Sequence, residues 1–265
     1  MRSVEQTHCQ RSRHRSHCEV PAFRGRYPDA STSVGKLKEG VDFAVGYRSD
    51  QNGAMHVDHV VYAVGPAGLV AEAKRFEEAL GVKSRDGGIH PRFGTIMRLI
   101  PLAEDRYLEI VEVLDHPAAD KAPYGQAVRA RSELGGGWLG WVVSVDDLTP
   151  FEKRLDRPAV AGLRHFPDGR ALEWRQIGVK GLIADPQLPY FITWLSEPDV
   201  RPSALKGSVA LKNIEIAGNR QRVENWLGAS VPPLFDGVAL DFSSPSGYPG
   251  VQSVTFVTAA GEVRI

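Results

Sequence analysis

The hydrophobic pattern predicts that the first ordered elements are a strand followed by a helix. Apolar β-branched residues dominate positions 56–64, and Gly65 and Pro66 end this run, as is typical of a strand. From Leu69 onwards, apolar residues recur at steps of four, three and four positions, which places them on one face of a helix. Gly81 follows that face directly and supplies a stop signal for the helix.

Two further units repeat this order of strand, helix and strands. Strands are predicted at 56–64, 97–102, 107–114, 138–145, 171–179, 188–195, 211–216, 237–242, 251–257 and 262–265. One more short strand has room near Val82, and further helices are predicted around 151–155 and 220–227. Each unit of roughly 70 to 80 residues is too small to cover its own sheet, so we expect the units to pair around a common core.

Composition and charge narrow the class of protein. The chain has 265 residues, and 32 basic residues balance 32 acidic ones, so nucleic-acid binding has no electrostatic support. The longest uncharged run contains Ser, Pro and Gly throughout, which is not typical of a membrane helix. No apolar signal segment follows Met1, so the expected compartment is the cytoplasm.

Residues 1–54 differ from the rest of the chain because they are rich in Arg and His and show no apolar periodicity. We expect this segment to be a disordered extension, with the biological start at Met55. The remainder is predicted to form a two-module domain at 55–198 and a smaller C-terminal unit at 205–265.

Two residues could share a chemical site. In a strand the side chains alternate, so His59 is predicted to lie on the same face as Val57 and Val61. Glu109 alternates with apolar residues in YLEIVEV, although alternation alone leaves Glu112 as the other candidate for the inward position. Imidazole and carboxylate suit Fe, Mn, Zn, Ni or Co, while the alternative is a hydrogen-bonded core histidine beside an edge glutamate.

The stretches DHVVYAV, EEALGV, GGIHPRFGT and IPLAEDRYLEIVEV resemble the glyoxalase-like branch of the vicinal oxygen chelate superfamily. This resemblance, over about residues 56–197, implies an α+β fold in which paired β-α-β-β-β modules form a cupped mixed sheet. The tail from Leu211 resembles an additional C-terminal half-module. The resemblance also implies that His59 and Glu109 are metal ligands and that Glu109 takes part in catalysis.

The second module departs from the family's ligand pattern. The position of its histidine falls at Gly140 or Trp141, and that of its carboxylate falls near Thr193. A divalent metal would therefore be weakly held, or absent, unless His90, His165 or the substrate completes its coordination.

The resemblance leaves two functions open. One is a metal-assisted lyase, isomerase or ring-cleaving oxygenase of unknown substrate, acting on vicinal substrate oxygens. The other is a metal-free protein that binds or sequesters a small molecule against a wall of aromatic residues, for which ordinary core packing is the competing explanation. These residues are Trp138, Trp141, Trp174, Tyr190, Phe191 and Trp194. The expected partner is a small-molecule ligand, not nucleic acid or a membrane, and a homodimer remains open.

Overall fold

The computed structural model describes residues 47–49, 53–166, 168–244 and 248–265. The described residues include a small part of the predicted N-terminal extension, namely strand β1 (Tyr47–Ser49) and the first residues of strand β2 (Gly53–Ala63). These two strands pair in antiparallel fashion. The rest of the predicted extension lies outside the described residues.

The first module has the order β-α-β-β-β. After β2 come α1 (Gly68–Leu80), β3 (Arg85–His90), β4 (Thr95–Pro101) and β5 (Tyr107–Val113). The predicted apolar face of α1 is buried, and Gly81 ends the helix with a φ of 69°, a left-handed conformation that glycine adopts at low cost. The extra strand expected near Val82 is β3, a few residues further along the chain.

Two helices connect the first module to the second, and the sequence pattern did not predict either. They are α2 (Pro117–Lys121) and α3 (Pro123–Glu133). The second module contains β6 (Gly137–Val145), α4 (Thr149–Leu155), β7 (Val160–His165), β8 (Ala171–Ile177), α5 (Gly181–Ala184) and β9 (Tyr190–Trp194). Strand β7 also escaped prediction, because its buried positions are Gly162 and Arg164 and none of its apolar side chains is fully buried.

The C-terminal half-module forms a smaller sheet of its own. Its elements are β10 (Ala210–Ala217), α6 (Arg220–Leu227), β11 (Leu234–Phe235), β12 (Val238–Ser243), β13 (Gly250–Thr258) and β14 (Gly261–Arg264). The strand order is β11-β12-β10-β13-β14, with β10 and β12 parallel across α6. The fold is thus the expected α+β arrangement of two paired modules and an additional half-module.

The two modules meet at the antiparallel pair β2 and β6 in a sheet of order β3-β4-β5-β2-β6-β9-β8-β7. Its end strands β3 and β7 contact each other, so the sheet curves into a nearly closed cup. The outer face of the sheet packs against α1, α4 and the C-terminal half-module, where Trp141 lies edge-on to Phe235. The inner face encloses a second core, to which α3 and α5 contribute and which includes Tyr107, Tyr124, Trp174 and Tyr190. No helix in the described ranges is both long and apolar enough to cross a membrane.

A buried ion pair joins the two sheets. The guanidinium of Arg106, just before β5, donates to Asp236 Oδ2 at 2.8 Å and to the carbonyl of Val57 at 3.0 Å. Asp236 also accepts from the Val57 amide at 2.9 Å and lies 2.7 Å from His56 Nδ1. Because both partners of the Arg106–Asp236 pair are buried, the pair fixes the start of β2 against the turn between β11 and β12.

Candidate functional site

A β-bulge in β2 sets the position of the candidate histidine. The register of β2 against β6 shifts between Val57 and His59, so Asp58 is an extra residue in the ladder. Val57 consequently belongs to the outer core, whereas His59 turns towards the inner face. The prediction that Val57 and His59 share a face is therefore wrong, because simple alternation does not hold across a bulge.

Asp58 and His59 form a buried hydrogen-bonded pair. Asp58 Oδ1 lies 2.6 Å from His59 Nδ1, and the other carboxylate oxygen accepts from Trp194 Nε1 at 2.8 Å. With the proton on Nδ1, the lone pair of Nε2 is free to accept from the Tyr190 hydroxyl, 3.1 Å away. The Tyr107 ring stacks on the imidazole at 4.3 Å between centroids. The imidazole is thus fixed in orientation from three sides.

Glu109 faces His59 from the neighbouring parallel strand β5. Its Oε2 lies 3.6 Å from His59 Nε2, and its Oε1 accepts from the Tyr124 hydroxyl at 2.5 Å. Glu112, the alternative candidate, points to the opposite face, where its carboxylate accepts from the amide of Leu69 at 3.3 Å. The structure therefore brings His59 and Glu109 together and separates Glu112 from them.

The pKa values of the two buried carboxyl groups, Glu109 and Asp58, shift in opposite directions. Burial raises the pKa of Glu109, and the opposing effects of His59 and Tyr124 do not cancel it. Burial also acts on Asp58, but there the hydrogen bond and charge of His59 outweigh it and hold the pKa below its usual value. Two neighbouring carboxyl groups with pKa values shifted in opposite directions are typical of acid-base sites.

A small, mostly aromatic cavity of about 40 Å³ adjoins these residues. His90 lines it, and burial together with the charge of Arg164 lowers its pKa to about 3. Its Nδ1 is buried without a hydrogen-bond partner. Arg164 also lines the cavity and is buried, and among the described residues no acceptor or carboxylate pairs with its guanidinium, which lies over the Phe166 ring. The cavity thus holds one unpaired cation and one neutral imidazole.

The remaining residues predicted to bind substrate fall in different places. Trp174 lines the cavity, with its ring 6.1 Å from that of His90. Trp141 lies on the outer face of the sheet and donates to the Gln187 carbonyl at 3.1 Å. Thr193 donates to the Val145 carbonyl at 2.7 Å, and His165 is exposed at the end of β7. None of these last three residues lines the cavity beside His59.

The second module offers apolar side chains where the first offers His59 and Glu109. Val142 pairs with His59 across the β2–β6 ladder, and in parallel β9 the inward residue beyond Tyr190 is Ile192. The inward positions are therefore one residue away from those inferred by resemblance, Trp141 and Thr193. Among the described residues, no group of three or more His, Cys, Asp or Glu could hold a metal.

Several residues of the site were not found from the sequence. They are Asp58, Tyr107, Tyr124 and Arg164. The only usable signal was the adjacency of Asp58 to His59, and it depends on a bulge that no local pattern announces. Tyr124 belongs to the unpredicted helix α3 and Arg164 to the unpredicted strand β7.

Comparison with known families agrees with this architecture. The family model described as "Glyoxalase-like domain" matches residues 57–231, which include both modules and the start of the half-module. The chain belongs to this glyoxalase-like family. It is accordingly a member of the vicinal oxygen chelate superfamily. Among curated proteins, none matches the sequence.

Solved structures share the glyoxalase-like fold at low sequence identity. A hypothetical protein from Staphylococcus aureus is 14% identical, with a TM-score of 0.52 over 79% of this chain and 84% of that one. Methylmalonyl-CoA epimerase from Mycobacterium tuberculosis is 15% identical, with a TM-score of 0.34 over 55% of this chain and 90% of that one. At these identities the first similarity shows the fold alone, and the second is too distant to bear on function.

Proposed function

We propose that this glyoxalase-like protein is an enzyme that moves a proton on a small molecule carrying a carbonyl oxygen. The observation that supports the proposal is Glu109, a buried carboxylate with a raised pKa that faces His59 Nε2 beside a cavity. A carboxylate whose pKa moves towards neutrality is a better proton acceptor and still releases the proton afterwards. The reaction classes that fit are isomerase and lyase.

Each neighbouring residue has a part in that step. For a 2-hydroxy ketone, Glu109 takes the proton from the carbon next to the carbonyl, the C–H electron pair becomes a C=C bond, and the carbonyl π pair moves onto the oxygen. The hydroxyl proton then shifts between the two oxygens, and Glu109 delivers its proton to the former carbonyl carbon to complete an isomerisation. Tyr124 holds Glu109 through Oε1, and Asp58 holds His59 through Nδ1. The unpaired guanidinium of Arg164 is suited to the negative charge that develops on the substrate oxygen.

The superfamily implies a divalent cation, and two residues fit one. His59 Nε2 and Glu109 Oε2 are 3.6 Å apart, close to the separation of adjacent ligands on a first-row ion, and a carboxylate on the other ring nitrogen is the usual support for a ligating histidine. When bound, the cation would polarise the substrate oxygen. Since the second module has Val142 and Ile192 at the positions equivalent to His59 and Glu109, these two residues would hold the cation weakly, and water or substrate would fill its other positions.

The size of the substrate follows from two adjacent cavities. The cavity at His59 is too small for an organic molecule, but a second cavity of about 500 Å³ shares Phe93, Tyr124 and Gln176 with it. Lys180 and Arg157 line this outer cavity. We expect the substrate's body to lie there while its reacting carbon reaches past Phe93 towards Glu109.

Hydrogen exchange with solvent tests the proposed reaction. A panel of small 2-oxo acids, 2-hydroxy ketones and aryl ketones is incubated in D₂O with the wild type, and the loss of each C–H signal is followed by proton NMR. Glu109→Gln should slow exchange by at least about 100-fold, the usual contribution of a general base. Glu112→Gln, a change of the same kind on the same strand but on its outer face, should leave the rate unchanged. Equal loss in both variants contradicts the assignment.

Cation binding is tested separately by titrating Mn²⁺ and following its electron paramagnetic resonance signal. We expect weak binding that dialysis removes, because two protein ligands leave most positions to water. His59→Ala should abolish it, and His165→Ala, an exposed histidine at the end of β7, should not. Tight binding that survives dialysis, or equal binding in both variants, contradicts a weak site at His59.

A metal-free binding protein is the second candidate function. The observation in its favour is that Tyr190 and Tyr124 already satisfy His59 Nε2 and Glu109 Oε1 by hydrogen bonds, and that the cavity walls are mainly rings. In that case aromatic compounds quench tryptophan fluorescence saturably without added metal. Binding that is equally tight in Glu109→Gln, with no hydrogen exchange on any bound compound, would favour the binder over the enzyme.

A further inference from the structure

A third cavity lies apart from the site of His59 and Glu109. Its volume is about 430 Å³, and its walls come from α1, α3, the start of β6 and the start of β13. It shares no lining residue with the cavity at His59 or with the outer cavity. A ligand bound there would therefore occupy a separate site.

The charged side chains on the cavity wall are of one sign. Among the described residues, Arg75 and Arg131 are the charged side chains that line it, and no Asp or Glu side chain does. The two arginines differ in their partners. Arg75 Nε donates to Glu72 at 2.9 Å, and its guanidinium lies over the Tyr62 and Phe76 rings. Among the described residues, Arg131 has no such carboxylate, so its charge is free to meet a ligand.

Arg131 is the observation that points to a ligand. Its Nε is buried without a hydrogen-bond partner among the described residues, and its guanidinium lies against Gly137, where an added Cβ would be 2.1 Å from Nη2. A buried donor without an acceptor destabilises the fold, and a charged donor does so more strongly than a neutral one. An oxyanion entering the cavity would provide the missing acceptor.

The other lining residues indicate the chemistry of the uncharged part of the ligand. Tyr62, Trp138 and Tyr248 contribute aromatic rings, and the other walls are largely aliphatic. The indole Nε1 of Trp138 already donates to a main-chain oxygen of Ile265 at 2.9 Å, which fixes the orientation of that ring in the wall. We propose that this cavity is a second binding site, for an organic anion with a flat apolar body whose oxyanion pairs with Arg131. A planar guanidinium matches a carboxylate or phosphate through two parallel hydrogen bonds.

Calorimetric titration with three probes tests the site. The probes are 2-naphthoate, 2-naphthyl phosphate and the uncharged 2-naphthylmethanol, which share one ring system and differ in charge. We expect saturable binding of the anions and at least tenfold weaker binding of the alcohol. A preference for the carboxylate or for the phosphate identifies which class of oxyanion the site takes.

Three variants locate the binding. Arg131→Gln should weaken binding of the two anions at least tenfold. Arg129→Gln should leave their binding unchanged, because Arg129 lies two residues away on α3 and pairs with Asp120 at 3.2 Å. Arg164→Gln removes the cation of the other cavity and should leave binding unchanged, which separates this site from the proposed enzymatic one. Arg131→Gln should melt at or above the wild-type temperature, since it breaks no ion pair of the described residues and removes a buried donor without an acceptor. Equal affinity of Arg131→Gln and wild type, or equal binding of the alcohol and the anions, would overturn the proposal.

Discussion

Glu109 shows how a single residue balances stability against reactivity. Its carboxylate lies on an inward position of β5 between Tyr107 and Val111, where a neutral or apolar side chain would cost less. The folded protein therefore favours the protonated form, which is what the raised pKa expresses. A group with a raised carboxyl pKa stabilises the fold at low pH and loses that contribution as the pH rises through the folded-state pKa.

Glu109→Gln should accordingly stabilise the protein at neutral pH. The amide keeps an oxygen that accepts from Tyr124 and removes the buried charge. We expect a gain on the order of 1 kcal/mol in the free energy of unfolding at pH 8, the usual size when an unfavourable functional group is neutralised. Urea titrations of both proteins at pH 8 and pH 4 measure the gain, which should shrink at the lower pH. A variant less stable than wild type at pH 8 would show that the charged form is favoured in the fold.

The sequence identified His59 and Glu109 but not the residues that orient them. The two candidates were visible because each interrupts an apolar strand face, a pattern that costs free energy unless a partner is present. The partners come from elements distant in sequence, such as Tyr190 on β9 and Tyr124 on α3. No local pattern carries such information, and so a hydrogen-bond network of this kind requires the tertiary structure.

At the scale of elements, the bulge in β2 decides which residues face the cavity. It moves Asp58 beside His59 and moves Val57 to the outer core. The strands themselves were predictable because apolar β-branched residues mark them, and most predicted boundaries agree with the structure to within two residues. Helix α3 was missed because Gly125, Gln126 and the arginines that follow give it only a weak apolar face.

Trp141 and Trp174 provide a test of the two sheet faces. Trp174→Phe should reduce quenching by cavity ligands, because Trp174 lines the cavity. Trp141→Phe should leave ligand affinity unchanged and cost about 1 to 2 kcal/mol of stability, because it removes buried volume and the bond to the Gln187 carbonyl. Fluorescence titration and urea denaturation of both variants separate the two effects. Loss of ligand affinity in Trp141→Phe would place the binding surface on the outer face.

The ion pair between the two sheets is a second test at this scale. Asp236→Asn removes the buried carboxylate partner of Arg106 and leaves it only the exposed carboxylate of Glu104, so we expect a loss of about 3 kcal/mol in unfolding free energy. Burial raises the pKa of Asp236, but His56 and Arg106 outweigh that effect and lower it. The ionised Asp236 therefore stabilises the fold at neutral pH, and this stabilisation is lost as the pH falls through the lowered pKa of Asp236.

The control variant is Asp241→Asn. Asp241 is an exposed residue on β12, and its side chain accepts a hydrogen bond from Asn213 at 2.6 Å. We expect this variant to leave the free energy of unfolding nearly unchanged. Urea denaturation at pH 7 and pH 3 compares both variants with wild type. A stability difference for Asp236→Asn that is the same at both pH values would contradict the ion-pair account.

At the scale of the whole molecule, the pairing of the two modules forms the cavity and also determines how many polar side chains face it. The curved sheet brings β2, β5, β8 and β9 around one cavity, while the second module fills its share of the inner face with Val142 and Ile192. The arrangement of modules was predictable because the strand-helix pattern repeats, and each unit needs a partner to bury its sheet. Which module carries the chemistry follows from single residues and not from the fold.

The pH dependence of hydrogen exchange tests the central claim, that Glu109 moves the proton, most directly. It is measured in wild type, Glu109→Gln and Glu112→Gln with the compound that exchanges fastest, between pH 4 and pH 9. Because burial raises the pKa of Glu109 and only the ionised form accepts a proton, the wild-type rate should rise with pH through an apparent pKa above that of an ordinary glutamate. Glu112→Gln should show the same profile, and Glu109→Gln should show a low rate without this rise. The same rising profile in Glu109→Gln would contradict the account.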